Sequence, residues 1–180
     1  MNSKILFAFV LAVNICIITA TAKVYTYGVI VRTANKDFES HEGKLKLSVI
    51  SNNTNKITQE DFELTPNDVE IMQANKYATT ISSFAPPDKI TSVYLRWTLS
   101  QPDNPYNAIE KPTVYFKSVN LNFFEFRQDP QWSPCTSYKF YPETIPIGIK
   151  HADGAIFNYY DEETTFKFYK QNVSVLDAEC

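Results

Sequence analysis

Few residues in this chain could carry acid–base or nucleophilic chemistry. His41 and His151 are its only histidines, and each lies in a segment that predicts a turn between strands. Hydrolysis by a serine or cysteine requires a base beside the nucleophile, and neither histidine has a setting that would aim it at one. A G-x-S-x-G motif cannot be formed from the four glycines, which are Gly28, Gly43, Gly148 and Gly154. We therefore interpret both histidines as solvated turn residues and predict that the protein is not an enzyme.

The sequence gives equally little support for a metal-binding site. Two histidines without a third clustered ligand do not make a zinc site. The acidic run Asp161, Glu162 and Glu163 supplies oxygen atoms that calcium could use, but it lacks the spaced ligand pattern of calcium loops. A solvated turn between strands is the favoured interpretation of this run. We expect no metal and no cofactor.

The first 22 residues have the pattern of a secretory signal peptide. Lys4 precedes an apolar run from Ile5 to Val13, and small residues follow, with Ala20 and Ala22 in the A-x-A positions. Because Asn14 interrupts a run that is too short to span a membrane, a cleaved signal is favoured over an anchor. This predicts a single secreted domain over residues 23–180, without a transmembrane segment.

Export also predicts modifications of the cysteines and of two sequons. Cys16 leaves with the signal, so Cys135 and Cys180 remain as an even pair in an oxidising compartment, which predicts a disulfide. Asn52 and Asn172 each begin an N-x-S/T sequon and are candidate glycosylation sites. Asn52 is the better candidate, because it follows a strand-like run and is expected in a turn.

Period-two alternation is the dominant pattern after the signal, and it predicts strands. In Lys44–Ser51 it places Leu45, Leu47 and Val49 inside and Lys44, Lys46 and Ser48 outside, and in Val24–Thr33 it places Val24, Val29 and Val31 near the core. The further predicted strands are Asp61–Thr65, Tyr77–Phe84, Ile90–Leu99, Thr113–Phe126, Ala155–Tyr160, Phe166–Tyr169 and Val173–Leu176.

Only the segment Pro66–Asn75 could hold a helical turn. Many short strands without a long helix predict an all-β fold, which we expect to be an antiparallel two-sheet β-sandwich.

Aromatic residues are concentrated between Phe123 and Tyr141, near Cys135. Trp132 lies between two prolines, and an aromatic loop of this kind could contact a lipid interface or a protein partner. We take Trp132, Tyr106, Tyr138 and Phe140 as candidate binding residues. The alternative is that these rings fill the interior of the sandwich.

Several sequence segments, in the same order along the chain, resemble the C-terminal PLAT domain of animal triacylglycerol lipases, the family of pancreatic and lipoprotein lipases. The segment Ile90–Trp97 is the closest match, and Val24–Val31, His41–Ser48, Phe62–Pro66 and Asn75–Ile81 precede it in the expected order. The resemblance covers residues 24–126. It implies a β-sandwich that contacts lipid surfaces, lipoproteins or protein cofactors. The hydrolase domain of the lipases is absent, so the resemblance implies a non-catalytic member.

Three functions are open at this point. The first is a secreted binding module for a lipid surface, a lipoprotein or a protein partner. The second is a structural component of a secretion or matrix, without a specific ligand. The third is an enzyme that pairs Ser40 or Ser133 with a histidine, which the spacing does not support. The formal net charge of -3 argues against nucleic acid as a partner.

Overall fold

The computed structural model describes residues 22–101, 111–124, 135–159 and 172–173. These residues form eleven strands: β1 (Tyr25–Thr33), β2 (His41–Asn53), β3 (Lys56–Glu63), β4 (Val69–Ile71), β5 (Lys76–Ser83), β6 (Ile90–Leu99), β7 (Thr113–Phe124), β8 (Cys135–Tyr141), β9 (Ile147–Lys150), β10 (Gly154–Tyr159) and β11 (Asn172–Val173). The single helical element among them is a 3-10 turn at Pro87–Lys89. The predicted signal peptide lies outside the described residues except for Ala22, and so does the strand predicted at 166–169.

All strand pairs are antiparallel, and eight strands form one continuous series in the order β3-β2-β6-β10-β8-β7-β1-β5. The shorter strands pair at the margins: β4 with β2, β9 with β7, and β11 with β8. The all-β antiparallel fold predicted from the alternation is therefore confirmed.

The series divides into two four-stranded layers, β3-β2-β6-β10 and β8-β7-β1-β5. Between them β10 and β8 share only two residue pairs, Asn158 with Tyr141 and Tyr159 with Phe140. Within the layers the pairing is longer, and β2 alone matches eight consecutive residues of β3. This short corner allows one layer to fold over the other, as in a sandwich whose sheets remain joined at one side.

Inward side chains of both layers meet in one hydrophobic core. Leu45, Leu47 and Val49 of β2 are buried, as the alternation predicts, and so are Val29 and Val31 of β1. The rest of the core comes from nearly every other strand and includes the large side chains Tyr27, Trp97, Phe116, Phe140 and Phe157. Shared burial of apolar area, rather than hydrogen bonding at the corner, therefore holds the layers together.

Trp97 of β6 joins the two layers directly. Its ring is completely buried, and its indole Nε1–H donates to the carbonyl oxygen of Ile149 in β9 at 2.7 Å. Since β9 pairs with β7, this bond runs from the first layer to the second. A buried indole N–H needs such a partner, and here the partner also fixes how the layers align.

Three sequence predictions are wrong in detail. Ser48 is predicted to lie outside, but it is only 6% exposed, although its register with Asp61 and Tyr94 keeps it on the outer face of β2. Val24 is 53% exposed, because it precedes β1, whose pairing with β5 begins only at Tyr25. The segment Pro66–Asn75 forms no helical turn; it contains strand β4, which pairs with the start of β2. Local composition suggested a turn of helix there, but pairing with an existing strand edge decides the structure.

We expect Trp97→Ala to reduce the free energy of unfolding by about 3–5 kcal/mol, the usual cost of removing a large buried ring. Trp97→Phe keeps an aromatic ring but leaves the Ile149 carbonyl without its donor, which costs about 1–3 kcal/mol. Urea denaturation followed by far-ultraviolet circular dichroism measures both. Ser82→Ala, at an exposed position of β5, is the control and should change little; equal effects of all three variants would contradict the role given to Trp97.

Candidate functional site

Phe84 is the largest exposed aromatic residue in the described part of the chain. It follows β5 directly and is 60% exposed, whereas its neighbours Ser83 and Ala85 are buried. Phe84 continues the even-numbered, outward phase of β5, in which Thr80 and Ser82 are also exposed. A single exposed apolar residue is common on protein surfaces, so a functional role for Phe84 depends on how its surroundings hold and extend it.

Glu60 of β3 fixes the backbone at Phe84. Its carboxylate accepts hydrogen bonds from the backbone N–H of Phe84 at 3.0 and 3.2 Å and from the Ser83 hydroxyl at 3.0 Å. The Ser83 hydroxyl oxygen in turn accepts from the backbone N–H of Ala85 at 3.0 Å. Because β3 and β5 are opposite ends of the strand series, this carboxylate also ties the two free edges together.

Tyr27 holds the loop from the interior. Its hydroxyl donates to the carbonyl oxygen of Ala85, and both residues are buried. Burial raises the pKa of the Tyr27 hydroxyl well above its usual value, so the group remains protonated and able to donate. The loop is thus held on both sides of Phe84, which removes much of the freedom that an exposed loop normally has.

A groove of about 380 Å³ runs beside Phe84. One wall consists of Phe84, Ala85 and Pro86, and the other comes from the β2–β3 hairpin, with Ser51, Asn53, Thr54, Lys56, Thr58 and Glu60. We call this the edge groove. One wall is apolar and the other polar, a lining suited to binding an apolar side chain carried on a polar main chain.

The β2–β3 turn gives the polar wall its shape. Asn53 pairs with Lys56, so the turn consists of two residues, Thr54 and Asn55, and both have positive φ angles of 48° and 64°. Positive φ at both central positions is the requirement of the type I′ hairpin turn, whose twist matches that of the flanking strands. The polar wall is therefore a regular hairpin end rather than an irregular loop.

A second exposed apolar residue, Val24, lies at the same end of the β1–β5 pair. Tyr25 pairs with Ser83, so Val24 and Phe84 both extend just beyond that pairing. A second exposed apolar side chain therefore lies at the same end of this strand pair as the apolar wall of the edge groove.

The structure corrects two of the predicted binding residues. Tyr138 and Phe140 lie in strand β8, not in a loop, and pair with the buried Leu121 and Val119 of β7. Phe140 has no exposed surface, and both rings pack against Tyr159 with centroid distances of 5.9 and 5.7 Å. Residues that pair directly across antiparallel strands share a face, so both rings point into the core, as the alternative interpretation held.

The other two aromatic candidates, Trp132 and Tyr106, lie outside the described residues, as do Cys180 and the acidic run 161–163. Cys135 begins β8 and is buried. Because Cys180 lies outside the described residues, the disulfide between the two stays a prediction. Asn52 is exposed at the end of β2, where a glycan would have access, and Asn172 lies in β11, where its backbone pairs with Thr136 of β8. Glycosylation at either position also stays a prediction.

Both histidines have structural surroundings that the sequence did not suggest. His41 stacks on Trp97 with ring centroids 5.8 Å apart, and His151 meets the same ring edge-on at 6.0 Å. His151 Nδ1 also accepts a hydrogen bond from the backbone N–H of Leu99 at 3.0 Å. Both histidines are partly buried against the Trp97 ring, so the expectation that they are solvated is wrong. His151 does lie in a turn, as expected, whereas His41 begins strand β2.

Within the described ranges, no group of three or more histidine, cysteine, aspartate or glutamate side chains is placed to hold a metal ion. The same residues include no helix that is long and apolar enough to cross a membrane. We searched known protein-family models and curated proteins for relatives of this chain, and neither search found a match.

We expect Glu60→Ala to lower the free energy of unfolding by about 1.5–3 kcal/mol, the usual contribution of hydrogen bonds to a charged group. It should also raise amide hydrogen exchange at Phe84 and Ala85, which lose their anchored positions. Glu63→Ala is the matched control on the same strand, because its ion pair with Lys46 is exposed and should contribute little. Equal exchange in the two variants would contradict the role of Glu60.

We also expect acid to weaken the fold through His41. Burial lowers the pKa of His41 in the folded state, and the nearby carboxylate of Glu39 opposes this only in part. The unfolded chain, with an ordinary histidine pKa of about 6.5, therefore binds a proton first as the pH falls. The contribution to stability is present above that pH and is lost as the pH falls through the lowered folded-state pKa. Urea denaturation across this range tests it: His41→Gln should flatten the dependence, and an unchanged slope would contradict it.

Proposed function

We propose that this chain is a secreted, non-catalytic binding module and that the edge groove binds an apolar side chain of a protein partner. The observation that carries the proposal is the anchoring of exposed Phe84 by Glu60 on one side and by Tyr27 on the other. A contact residue that is already ordered loses little conformational entropy on binding. More of the free energy gained by burying its side chain therefore contributes to affinity.

The shape of the site favours a protein over a lipid surface. Lipid interfaces favour protruding apolar loops, whereas Phe84 lines a groove whose opposite wall carries Lys56, Glu60 and several hydroxyl groups. These polar groups suit the main chain and the polar rim of a protein partner. Inserting the same wall among acyl chains would remove its charged and hydroxyl groups from water without compensation.

Several finer features belong to the same proposal. They are the export signal, the disulfide between Cys135 and Cys180, and a glycan at Asn52. In the β2–β3 hairpin, Asn52 pairs with Ile57, in the opposite phase from the Ser51–Thr58 pair that lines the groove. A glycan on Asn52 would therefore leave from the other face of the hairpin and keep the groove open.

The resemblance to the PLAT domain agrees with a binding role, since that family implies contact with lipid surfaces, lipoproteins or protein cofactors. Its lipid-binding part depends here on Trp132 and Tyr106, because Tyr138 and Phe140 face the core. The structural-component alternative predicts that no surface of the chain has a specific ligand. Peptide selection and vesicle flotation together distinguish the protein-binding, lipid-binding and structural-component functions.

We expect selection of displayed peptides on the purified chain to enrich sequences with an exposed aromatic or aliphatic residue. The most enriched peptide, made synthetically, should bind Phe84→Ala roughly 30-fold more weakly, the effect of a hot-spot residue worth about 2 kcal/mol. Met72→Ala is the matched control, because Met72 is also exposed but lies outside the edge groove.

Flotation of neutral and anionic phospholipid vesicles completes this test. Vesicle binding that is lost in Trp132→Ala, together with no enriched peptide, would replace the proposal with the lipid-interface function. Failure of both assays supports the structural-component alternative. Peptides that bind Phe84→Ala as tightly as the unaltered chain would show that the edge groove is not the site.

A further inference from the structure

A second surface with different chemistry lies on the outer face of the β3-β2-β6-β10 layer. The strand register places outward residues there in transverse rows. One row is Ile156, Tyr94, Ser48 and Asp61, and the next is Gly154, Arg96, Lys46 and Glu63. A shallow groove of about 310 Å³ follows these rows and is lined by Lys46, Leu47, Ser48, Asp61, Phe62, Glu63, Tyr94 and Arg96. We call it the outer-face groove.

The Tyr94 ring lies down across the sheet. A Cβ atom added at Gly154 would overlap the end of this ring, so the phenol group occupies space that any other residue at 154 would fill. Strand side chains normally stand away from the sheet, and a ring that reclines on a glycine instead presents one face to the groove. Tyr94 is partly exposed, and the guanidinium of Arg96 lies over its ring with Cζ 5.8 Å from the centroid, so a ligand on this ring would also contact Arg96.

Donors and acceptors lie in the same two rows of the sheet as this ring. The Asp61 carboxylate accepts from the Gln59 amide at 2.9 Å, and hydrogen bonds from Ser48 and Gln59 lower its pKa, so it remains a charged acceptor. Lys46 pairs with Glu63 at 2.9 Å, and the exposed Arg96 guanidinium lies 5.8 Å from the Tyr94 centroid. The groove therefore offers an aromatic face, carboxylate acceptors and nitrogen donors within two rows of the sheet.

The charges in the outer-face groove balance. Two cations, Lys46 and Arg96, stand beside two anions, Asp61 and Glu63. A phosphate or sulfate site would have an excess of positive charge, and a site for a basic peptide would have an excess of negative charge. A purely apolar ligand would remove all four charges from water without giving hydrogen bonds in return.

A neutral ring that carries many hydroxyl groups meets each of these conditions. Its hydroxyls donate to Asp61 and accept from Arg96, bonds that are strengthened because one partner is charged. Its C–H face covers the Tyr94 ring and removes apolar area from water. We propose that the outer-face groove binds a neutral saccharide, with one sugar ring on Tyr94 and its hydroxyl groups on Asp61 and Arg96.

Isothermal titration calorimetry of the full secreted chain tests this with three neutral hexasaccharides: cellohexaose, chitohexaose and maltohexaose. We expect at least one of them to bind and sulfated maltohexaose to bind no better than its neutral parent. Tyr94→Ala and Arg96→Ala should each weaken binding roughly tenfold or more, a hot-spot loss. Tyr94→Phe should retain binding, because the ring face is kept.

The controls separate this proposal from the edge groove. Phe84→Ala should leave saccharide binding unchanged, and Tyr94→Ala should leave peptide binding unchanged, so either site can fail alone. The exposed Arg96 provides a second variant that is safe for the fold, and thermal midpoints are measured for every variant. Absence of binding to all three neutral hexasaccharides overturns the proposal, as does binding that persists in both Arg96→Ala and Tyr94→Ala or that requires sulfate.

Discussion

The structure depends on one constraint: two layers that share few hydrogen bonds must be held together mainly by what they bury between them. The corner between β10 and β8 contributes two residue pairs. Beyond this corner the layers are joined mainly by packing of inward side chains, and the hydrogen bonds of Trp97 to Ile149 and of Glu60 to Ser83 and Phe84 also cross between them. The two layers therefore keep their relative position only while this common core is intact.

Both candidate sites follow from that arrangement. On the open side of the sandwich, opposite the corner, the free edges β3 and β5 approach each other, and Glu60 spans the gap to Ser83 and Phe84. A narrow opening that is bridged at one point leaves the edge groove beside the bridge. The outer-face groove has a different origin, because it lies on the solvent side of strands whose other side is already buried, and so its residues are free to be charged.

Alternation in the sequence predicted most of the long strands, because a half-buried strand shows its two faces in successive residues, whereas β4, β8 and β9 were not predicted. The inward set Leu45, Leu47 and Val49 follows directly from this pattern, and so does the extent of β6. The pattern failed for Val24, where apolar character at the start of a strand was taken for burial. It failed again at Pro66–Asn75, since β4 forms only because the start of β2 offers it a partner.

The sites were harder to predict than the fold, for a physical reason. The concentration of aromatic residues between 123 and 141 predicted a binding loop, yet Tyr138 and Phe140 are inward residues of a strand. A high local content of aromatic residues does not distinguish core from surface. Phe84 carried a usable signal: it continues the outward phase of β5, whose other members are small or polar, and it precedes two prolines. Its anchoring by Glu60, 24 residues away, is a long-range contact that no local pattern contains.

Strand β3 shows how one short sequence serves two surfaces. Lys56, Thr58 and Glu60 occupy one phase and line the edge groove, whereas Asp61 and Glu63 occupy the other phase and line the outer-face groove. An edge strand has little to bury, so both phases of β3 are free to be polar, which explains why KITQEDFE has so few apolar residues. A shift of one residue in its pairing with β2 would exchange the two sets and remove Glu60 from the Phe84 loop. The exact register of β2 and β3, fixed by the two-residue turn at Thr54 and Asn55, is therefore what makes both surfaces possible at once.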